Sequence, residues 1–384
     1  MAEGSPRPSD RAGADGLTVA HVIHSLGAGG AEALLVDLAA AAPQHGIRVV
    51  VIGLSDAQDA RTVPLLRAAG ATVYELHGGR YDIGAIARVA AVLRREGVDI
   101  VHTHLKHADV VGGLAARLTG RPVVSTLHVI ESEPADSRAR AQVRLAAAVR
   151  SRLFGRVIVL SEAQRRWYER VAPGSPIVLL PNGIRPLVPD RTRAEVRREL
   201  DVADGEVLSL TLSLMRPEKG HATLLDAVRR IPAEVPLVAA LAGDGELLDH
   251  VRATVADDPV LRRRVRVLGF RRDVANLLSA ADLVVHPSFE DALPTALICG
   301  LSMGIPIVAT QVGGIPDIVG DAGELVPAGD ADALAAAIGR YAVDAAAREM
   351  VGMRGYARFV EKFDVNVWIN ALKSLYASLR WTAD

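Results

Sequence analysis

From Leu17 onward, short runs of β-branched and other apolar residues alternate with longer stretches rich in Ala, Leu and Arg. The short runs predict strands at Leu17–Ile23, Arg48–Ile52, Ala71–Glu75, Ile100–His102, Pro122–Thr126, Val157–Leu160 and Ile177–Leu180. Between them, segments such as Ala31–Ala42, Ile83–Arg95 and Ala108–Leu118 have the length and composition of helices. Strands of this mostly apolar kind, separated by helices, describe a parallel sheet covered on both faces. The rhythm stops at Pro181–Ala194 (PNGIRPLVPDRTRA), where three prolines and little periodicity mark a connector. It restarts with strands at Val207–Leu212, Leu237–Ala242, Val265–Leu268, Leu283–His286 and Ile307–Ala309. Near the end, Trp368, Leu372, Leu375, Tyr376 and Leu379 recur at helical spacing, which suits a helix packing on a core. The pattern thus divides the chain into a tail (1–16), an α/β half (17–184), a linker (185–195), a second α/β half (196–364) and a terminal helix (365–384). Two such halves imply two parallel-sheet domains facing a cleft.

Composition narrows the function. At 384 residues the chain has ample length for two cores. Its formal charge of −1 removes the simplest electrostatic case for a nucleic-acid binder. The single cysteine, Cys299, excludes a disulfide framework within the chain and a cysteine-based zinc site. No window approaches about 18 uninterrupted apolar residues, the length a spanning helix needs. The opening MAEGSPRPSDRAGADG lacks the apolar core of a secretory signal, and reads as a disordered lead-in to a cytoplasmic protein of enzyme size.

Candidate chemistry gathers where strands give way to helices. Gly27-Ala28-Gly29-Gly30-Ala31-Glu32 follows the first strand; glycines there let a ligand approach the backbone, and the helix start offers free N–H groups to an anion. The dinucleotide fingerprint would need glycine at position 32, which is Glu, so a ligand-free tight turn fits the segment as well. His102 and His104 lie in VHTHLKH, and His128 follows the strand at Pro122–Thr126, where open α/β sheets place their ligands. The H-x-H spacing suits metal ligands, but with no nearby cysteine or carboxylate cluster no metal is expected. In the second half, Arg216-Pro217-Glu218-Lys219-Gly220 places two cations beside a helix start, a clamp suited to phosphate. Gly243 belongs to a glycine-rich turn, Ala242-Gly243-Asp244-Gly245. Beyond His286 come Glu290 and Asp291 and then Pro294, suited to the first turn of a helix. That would leave the N–H groups of Thr295, Ala296 and Leu297 free for a diphosphate.

With these pieces in order, the sequence resembles the family 4 retaining glycosyltransferases of the GT-B fold. The resemblance runs from about Val19 to the last helix on GAGGAE, VHTH, STLH, VLSE, LLPNGI, RPEKG, AGDGEL, VLGFRRDV, the P-T-A-L helix start and PIVATQVGGIPDIV. It implies two Rossmann-like domains, the first mostly holding the acceptor, the second mostly holding a nucleotide sugar, and a C-terminal helix crossing back to the first. It implies that Gly29 and Gly30 line the donor-phosphate side and that His128 contacts the transferred sugar. Lys219 would neutralise the leaving diphosphate, with backbone donors from Thr295, Ala296 and Leu297 after Pro294, while Gly269, Phe270 and Arg271 face the base. The implied activity is transfer of a hexose from a UDP-sugar, with GDP the other candidate base, to the hydroxyl of a small metabolite, lipid or glycan. Configuration would be retained, with no metal and no further cofactor.

Two positions depart from the family pattern. Its pair of glutamates falls on Asp291, or the adjacent Glu290, and on Cys299, and a thiol is a poor substitute for a carboxylate accepting from ribose hydroxyls. Its phosphate-binding arginine falls on Leu214; Arg216, two residues on along an extended segment, points the same way and is the candidate replacement. An active enzyme with an unusual donor pocket is therefore set against a catalytically impaired homologue acting as a binding or scaffold protein, and against a sugar-nucleotide epimerase. Arg138, Arg140, Arg144, Arg150, Arg152 and Arg156, set among Ala, Val and Leu, raise peripheral contact with the inner membrane face as an option beside a solvated helix surface.

Overall fold

The structure, a computed structural model, describes residues 16–380 apart from 28, 58–60, 80, 81, 83 and 131–136. The N-terminal tail expected at 1–16 lies outside the described residues but for Gly16. The chain forms two compact units. One comprises the chain up to Val159, Tyr168–Leu180 and the residues from Ile369; the other comprises Leu160–Trp167 and Pro181–Trp368.

The first unit is built on seven strands: β1 (Leu17–Ile23), β2 (Ile47–Gly53), β3 (Thr72–Glu75), β4 (Ile100–His104), β5 (Val123–Thr126), β6 (Arg156–Val159) and β7 (Ile177–Leu179). All pairings are parallel, in the order β3-β2-β1-β4-β5-β6-β7. Strand order reverses between β1 and β4, so the helices after these strands cover opposite faces, and sheets of this kind place their ligands beyond the carboxyl ends at such a switch point. The Gly30–Ala41 helix buries Leu34, Leu35 and Leu38, three positions on one face. The Lys106–Thr119 helix sits close to the sheet because Gly112 lacks a side chain: a Cβ there would stand 2.6 Å from Thr103 Cγ2.

The second unit has six parallel strands: β8 (Val207–Leu212), β9 (Leu237–Ala242), β10 (Val265–Gly269), β11 (Leu283–His286), β12 (Ile307–Thr310) and β13 (Gly323–Val326), ordered β10-β9-β8-β11-β12-β13. Its core joins Leu224 and Val228 of the His221–Arg230 helix to Leu237, Leu241, Leu283 and Val285 of the sheet. Order reverses here between β8 and β11. Every expected strand is present, with ends shifted by at most two residues. The exception is β13, which was not expected: it is a four-residue edge strand that begins on glycine and carries a glutamate. A helix starts at Arg193, held by a capping box between Thr192 and Glu195, inside the stretch read as connector. The terminal helix Val365–Arg380 begins in the second unit and continues into the first, where Leu372, Tyr376 and Leu379 are buried, as the family resemblance implied. Among the described residues no helix is long and apolar enough to cross a membrane.

Of the arginines read as one face from Arg138 to Arg156, Arg150 does not belong to it, while Arg152 is exposed. Arg150 is buried, donating from Nε to Asp109 Oδ2 at 2.8 Å, and Asp109 also accepts from Ser125 Oγ at 2.7 Å and from Thr103. The side chains of Arg138, Arg140 and Arg144 lie outside the described residues. Since Asp109 is fully buried, removing its partner strands a desolvated carboxylate. Arg150→Met should therefore destabilise the protein by about 3–5 kcal/mol, read from the midpoint of urea unfolding; Arg150→Met combined with Asp109→Leu should recover much of the loss.

Candidate functional site

The loops beyond the carboxyl ends of β8 and β11 bring together the cation and one of the two acids singled out in the sequence. After β8 the chain runs through Ser213 and Leu214 to Met215, which is fully buried, while Leu214 and Arg216 on either side of it are exposed. The segment is not extended as expected: Arg216 N–H donates to Leu214 O at 2.9 Å, closing a tight turn around Met215, so the two-residue spacing does not by itself put Arg216 on the side of Leu214. A turn of 3-10 helix at Pro217–Lys219 follows, and Gly220, at φ 70°, starts the next helix. That glycine is required: a Cβ there would overlap the Pro287 carbonyl in the loop after β11. The two loops are also bonded directly, Phe289 N–H donating to Glu218 O at 2.7 Å and Ser288 Oγ to the same oxygen at 3.1 Å.

Lys219 consequently reaches across to Asp291, Nζ to Oδ2 at 2.6 Å. His286, the last residue of β11, places Nε2 3.0 Å from the same oxygen and is itself buried, its Nδ1 without a hydrogen-bond partner. Burial pushes the Asp291 carboxyl up, but the hydrogen bond from His286 and the charge of Lys219 more than offset this and hold it below the ordinary carboxylate value. Glu290, the alternative acid, is half-buried beside it; its carbonyl, not its carboxylate, is tied in, accepting from Ser288. Neither His286 nor Ser288 was singled out as a site residue; the histidine five residues before the acid was the available signal.

The neighbouring loops pack backbone to backbone. A Cβ on Gly243 would strike the Ser213 carbonyl, and one on Gly313 or Gly314 would strike the carbonyls of Asp291 and Ala292. Pro294 is the residue that caps the Thr295–Ser302 helix rather than part of its first turn. Leu297 N–H donates to Pro294 O at 3.1 Å, so of the three amides expected to be free, Leu297 is already used. The helix makes a tight turn at its start, leaving Thr295 and Ala296 as the two candidate donors. Cys299 lies half-buried on this helix. Gly269 ends β10 at φ 69° and Phe270 after it is half-exposed, but the Arg271 guanidinium is committed: it pairs with both oxygens of Asp273 at 2.7 Å and with Glu199 at 2.6 Å.

In the first unit, Gly29 is the extended residue before the helix and Gly30 its first residue. The Glu32 carboxylate folds back over Gly29, and burial raises its pKa, so this helix start already faces an acid of its own. His128 joins a row of imidazoles that the sequence did not reveal. His21 Nδ1 lies 3.0 Å from His104 Nε2, and His104 Nδ1 lies 2.9 Å from His128 Nε2. His102 occupies both its nitrogens, with Tyr376 Oη at 2.7 Å and Thr126 Oγ1 at 2.6 Å. His21, His102 and His104 bring ligand atoms within 4.8 Å of one another. Their ring centroids lie 4.5–5.3 Å apart. Burial lowers His21 to about 3 and His128 to about 4, with His104 and His102 well below their ordinary value. In the second unit burial lowers His221 to about 4.

The sheet orders and the loops at their switch points are those of the GT-B fold of sugar-transferring enzymes. The structure superposes on the crystal structure of Anabaena Alr3699/HepE in complex with UDP with a TM-score of 0.82, at 25% identity over 94% of this chain and 100% of that one. Residues 206–344 match the family described as Glycosyl transferases group 1, and residues 28–186 match Glycosyltransferase Family 4. The chain belongs to this family of glycosyltransferases. Among curated relatives, it is 28% identical to D-inositol 3-phosphate glycosyltransferase of Mycobacterium marinum over 386 residues, 92% of this chain and 81% of that protein. It is 24% identical to UDP-Gal:alpha-D-GlcNAc-diphosphoundecaprenol alpha-1,3-galactosyltransferase of Escherichia coli over 312 residues, 78% of this chain and 80% of that protein.

The buried imidazoles carry a pH dependence. A free histidine takes up a proton near pH 6.5, whereas these rings stay neutral in the folded chain to about pH 4 or lower. Below pH 6.5 the unfolded state therefore binds more protons and stability falls, by about 1–2 kcal/mol per ring at pH 5. The melting temperature should drop clearly between pH 7 and pH 5; a flat profile over that window would contradict neutral burial.

Proposed function

We propose that this glycosyltransferase moves a hexose from a nucleotide-diphosphate sugar, a UDP-sugar ahead of a GDP-sugar, to an acceptor hydroxyl with retention of configuration. The observation that carries the reading is the convergence of Lys219, Asp291 and His286 at the β8–β11 switch point, beside a helix start. The structural relative that holds UDP supports the base, and the galactosyltransferase relative, whose name specifies UDP-Gal, agrees with it.

Breaking a sugar–phosphate bond builds negative charge on the departing diphosphate, and fixed donors lower that barrier without reorganising. Lys219 supplies the cation. Its pairing with Asp291 holds the ammonium in place before the donor arrives, and the diphosphate then shares it. Thr295 and Ala296 add backbone N–H groups, and the exposed Arg216 adds the second charge that Leu214 lacks. In the second unit Asp291, held ionised, accepts from hydroxyls of the sugar; in the first, His128 is the candidate contact to the transferred sugar. Phe270 faces the base. The acceptor is a small metabolite, a lipid or a glycan, as the differing names of the relatives suggest.

A thermal-shift panel of UDP-, GDP- and ADP-sugars tests the donor: a bound donor raises the melting temperature by mass action, and no shift with any of the three would overturn the reading. Lys219→Met should lower kcat by about 10²–10³-fold, with UDP release from the donor in the presence of acceptor as the assay. Arg216→Ala should raise the donor KM roughly tenfold, the effect of losing one charged hydrogen bond; unchanged kinetics would remove Arg216 from the site.

A further inference from the structure

The row of imidazoles in the first unit is built by the sheet itself. His21 on β1 pairs directly with His102 on β4, so His104, two residues further along, is its diagonal neighbour on the same face. His104 in turn pairs with Thr126 on β5, and His128 lies two residues beyond. The same diagonal step taken twice carries a line of rings from β1 across β4 to the exit of β5, and both steps are closed by N···N contacts of 3.0 and 2.9 Å. Leu105, a non-glycine residue at φ 72°, turns the chain sharply immediately after His104 and so fixes where β4 ends.

A neutral imidazole has one N–H and one lone pair, so it cannot donate, or accept, on both sides. His104 faces His21 through Nε2 and His128 through Nδ1; donating through one nitrogen obliges it to accept through the other. The three rings therefore share one register: all carry the proton on Nδ1, or all carry it on Nε2. The buried end of the line decides between them. His21 Nε2 is buried and has no hydrogen-bond partner. In the Nε2–H register it would be a stranded donor; in the Nδ1–H register it is only an unused acceptor. Folded proteins tolerate an unused acceptor more readily than a stranded N–H. Burial keeps the rings neutral, so a doubly protonated His104 does not intervene.

We propose that His21 and His104 are positioning residues that lock His128 in the Nδ1–H tautomer, so that it meets the sugar as a hydrogen-bond donor. The contact with the sugar rests on the function proposed above, whereas the tautomer lock is a property of the ligand-free chain and is measured separately. A histidine whose tautomer is set in advance spends no free energy selecting it when substrate binds.

The experiment uses the full chain labelled with ¹⁵N at histidine. Long-range ¹H–¹⁵N correlations at pH 7.5 should show His128 neutral with its proton on Nδ1. Couplings across hydrogen bonds should link His21 Nδ1 to His104 Nε2 and His104 Nδ1 to His128 Nε2. A proton on Nε2 of His128, or the absence of these couplings, overturns the proposal without any variant being made. His104→Phe, if folded, should turn His128 into a mixture of tautomers and lower kcat about tenfold with little change in donor KM. A folded His104→Phe with His128 still wholly Nδ1–H also overturns it. His128→Ala with unchanged turnover would instead remove the sugar contact, and with it the function assigned to the lock, while the couplings still report on the lock itself.

Discussion

A carboxylate withdrawn from water has to be met by donors, and in the second unit this requirement organises everything around Asp291. Burial alone would drive its carboxyl towards protonation; Lys219 and His286 converge on one of its oxygens and reverse that tendency. Each donor needs its own strand end and its own loop, so the acid is met only where β8 and β11 lie side by side. The same pairing removes the freedom of the lysine, a long side chain that would otherwise sample many rotamers. The diphosphate donor proposed above would then meet a cation whose ordering cost was met during folding.

The first unit solves a different problem. Its central strands carry polar rings at positions that a parallel sheet usually fills with aliphatic residues, and each ring has to find a partner inside the core. His102 does so through Tyr376, which arrives from the terminal helix, and through Thr126 on the neighbouring strand. The others do so mainly through each other. A hydrogen-bonded row of this kind specifies strand register more sharply than interchangeable aliphatic side chains would, because a slip of one residue turns every ring to the opposite face.

Much of this architecture could be read from the chain. Apolar runs such as Leu237–Ala242, buried at every position, announced themselves, and so did the loops that carry Lys219 and Asp291. What escaped detection depends on contacts distant in sequence. His21 looks like an interruption in an apolar strand until β1 is set beside β4, more than seventy residues later. Arg150 has the spacing of a surface arginine, and only the buried Asp109 across from it shows otherwise. Arg271 sits in the segment expected to face a base, yet Glu199, on a helix before the sheet begins, holds its guanidinium. Leu297 shows the finer limit: whether a helix start is α or 3-10 decides which amides remain free, and residue type does not report it.

The glycines that let these loops interlock also determine how the protein can change. At positions 220, 243, 313 and 314 the main chain of one loop lies where a side chain of the next would have to go. Remodelling any single loop would therefore dislodge its neighbours, and the scaffold resists piecemeal backbone evolution. Diversification is channelled instead into projecting side chains such as Leu214, Phe270 and Phe289, which can be exchanged without disturbing the frame.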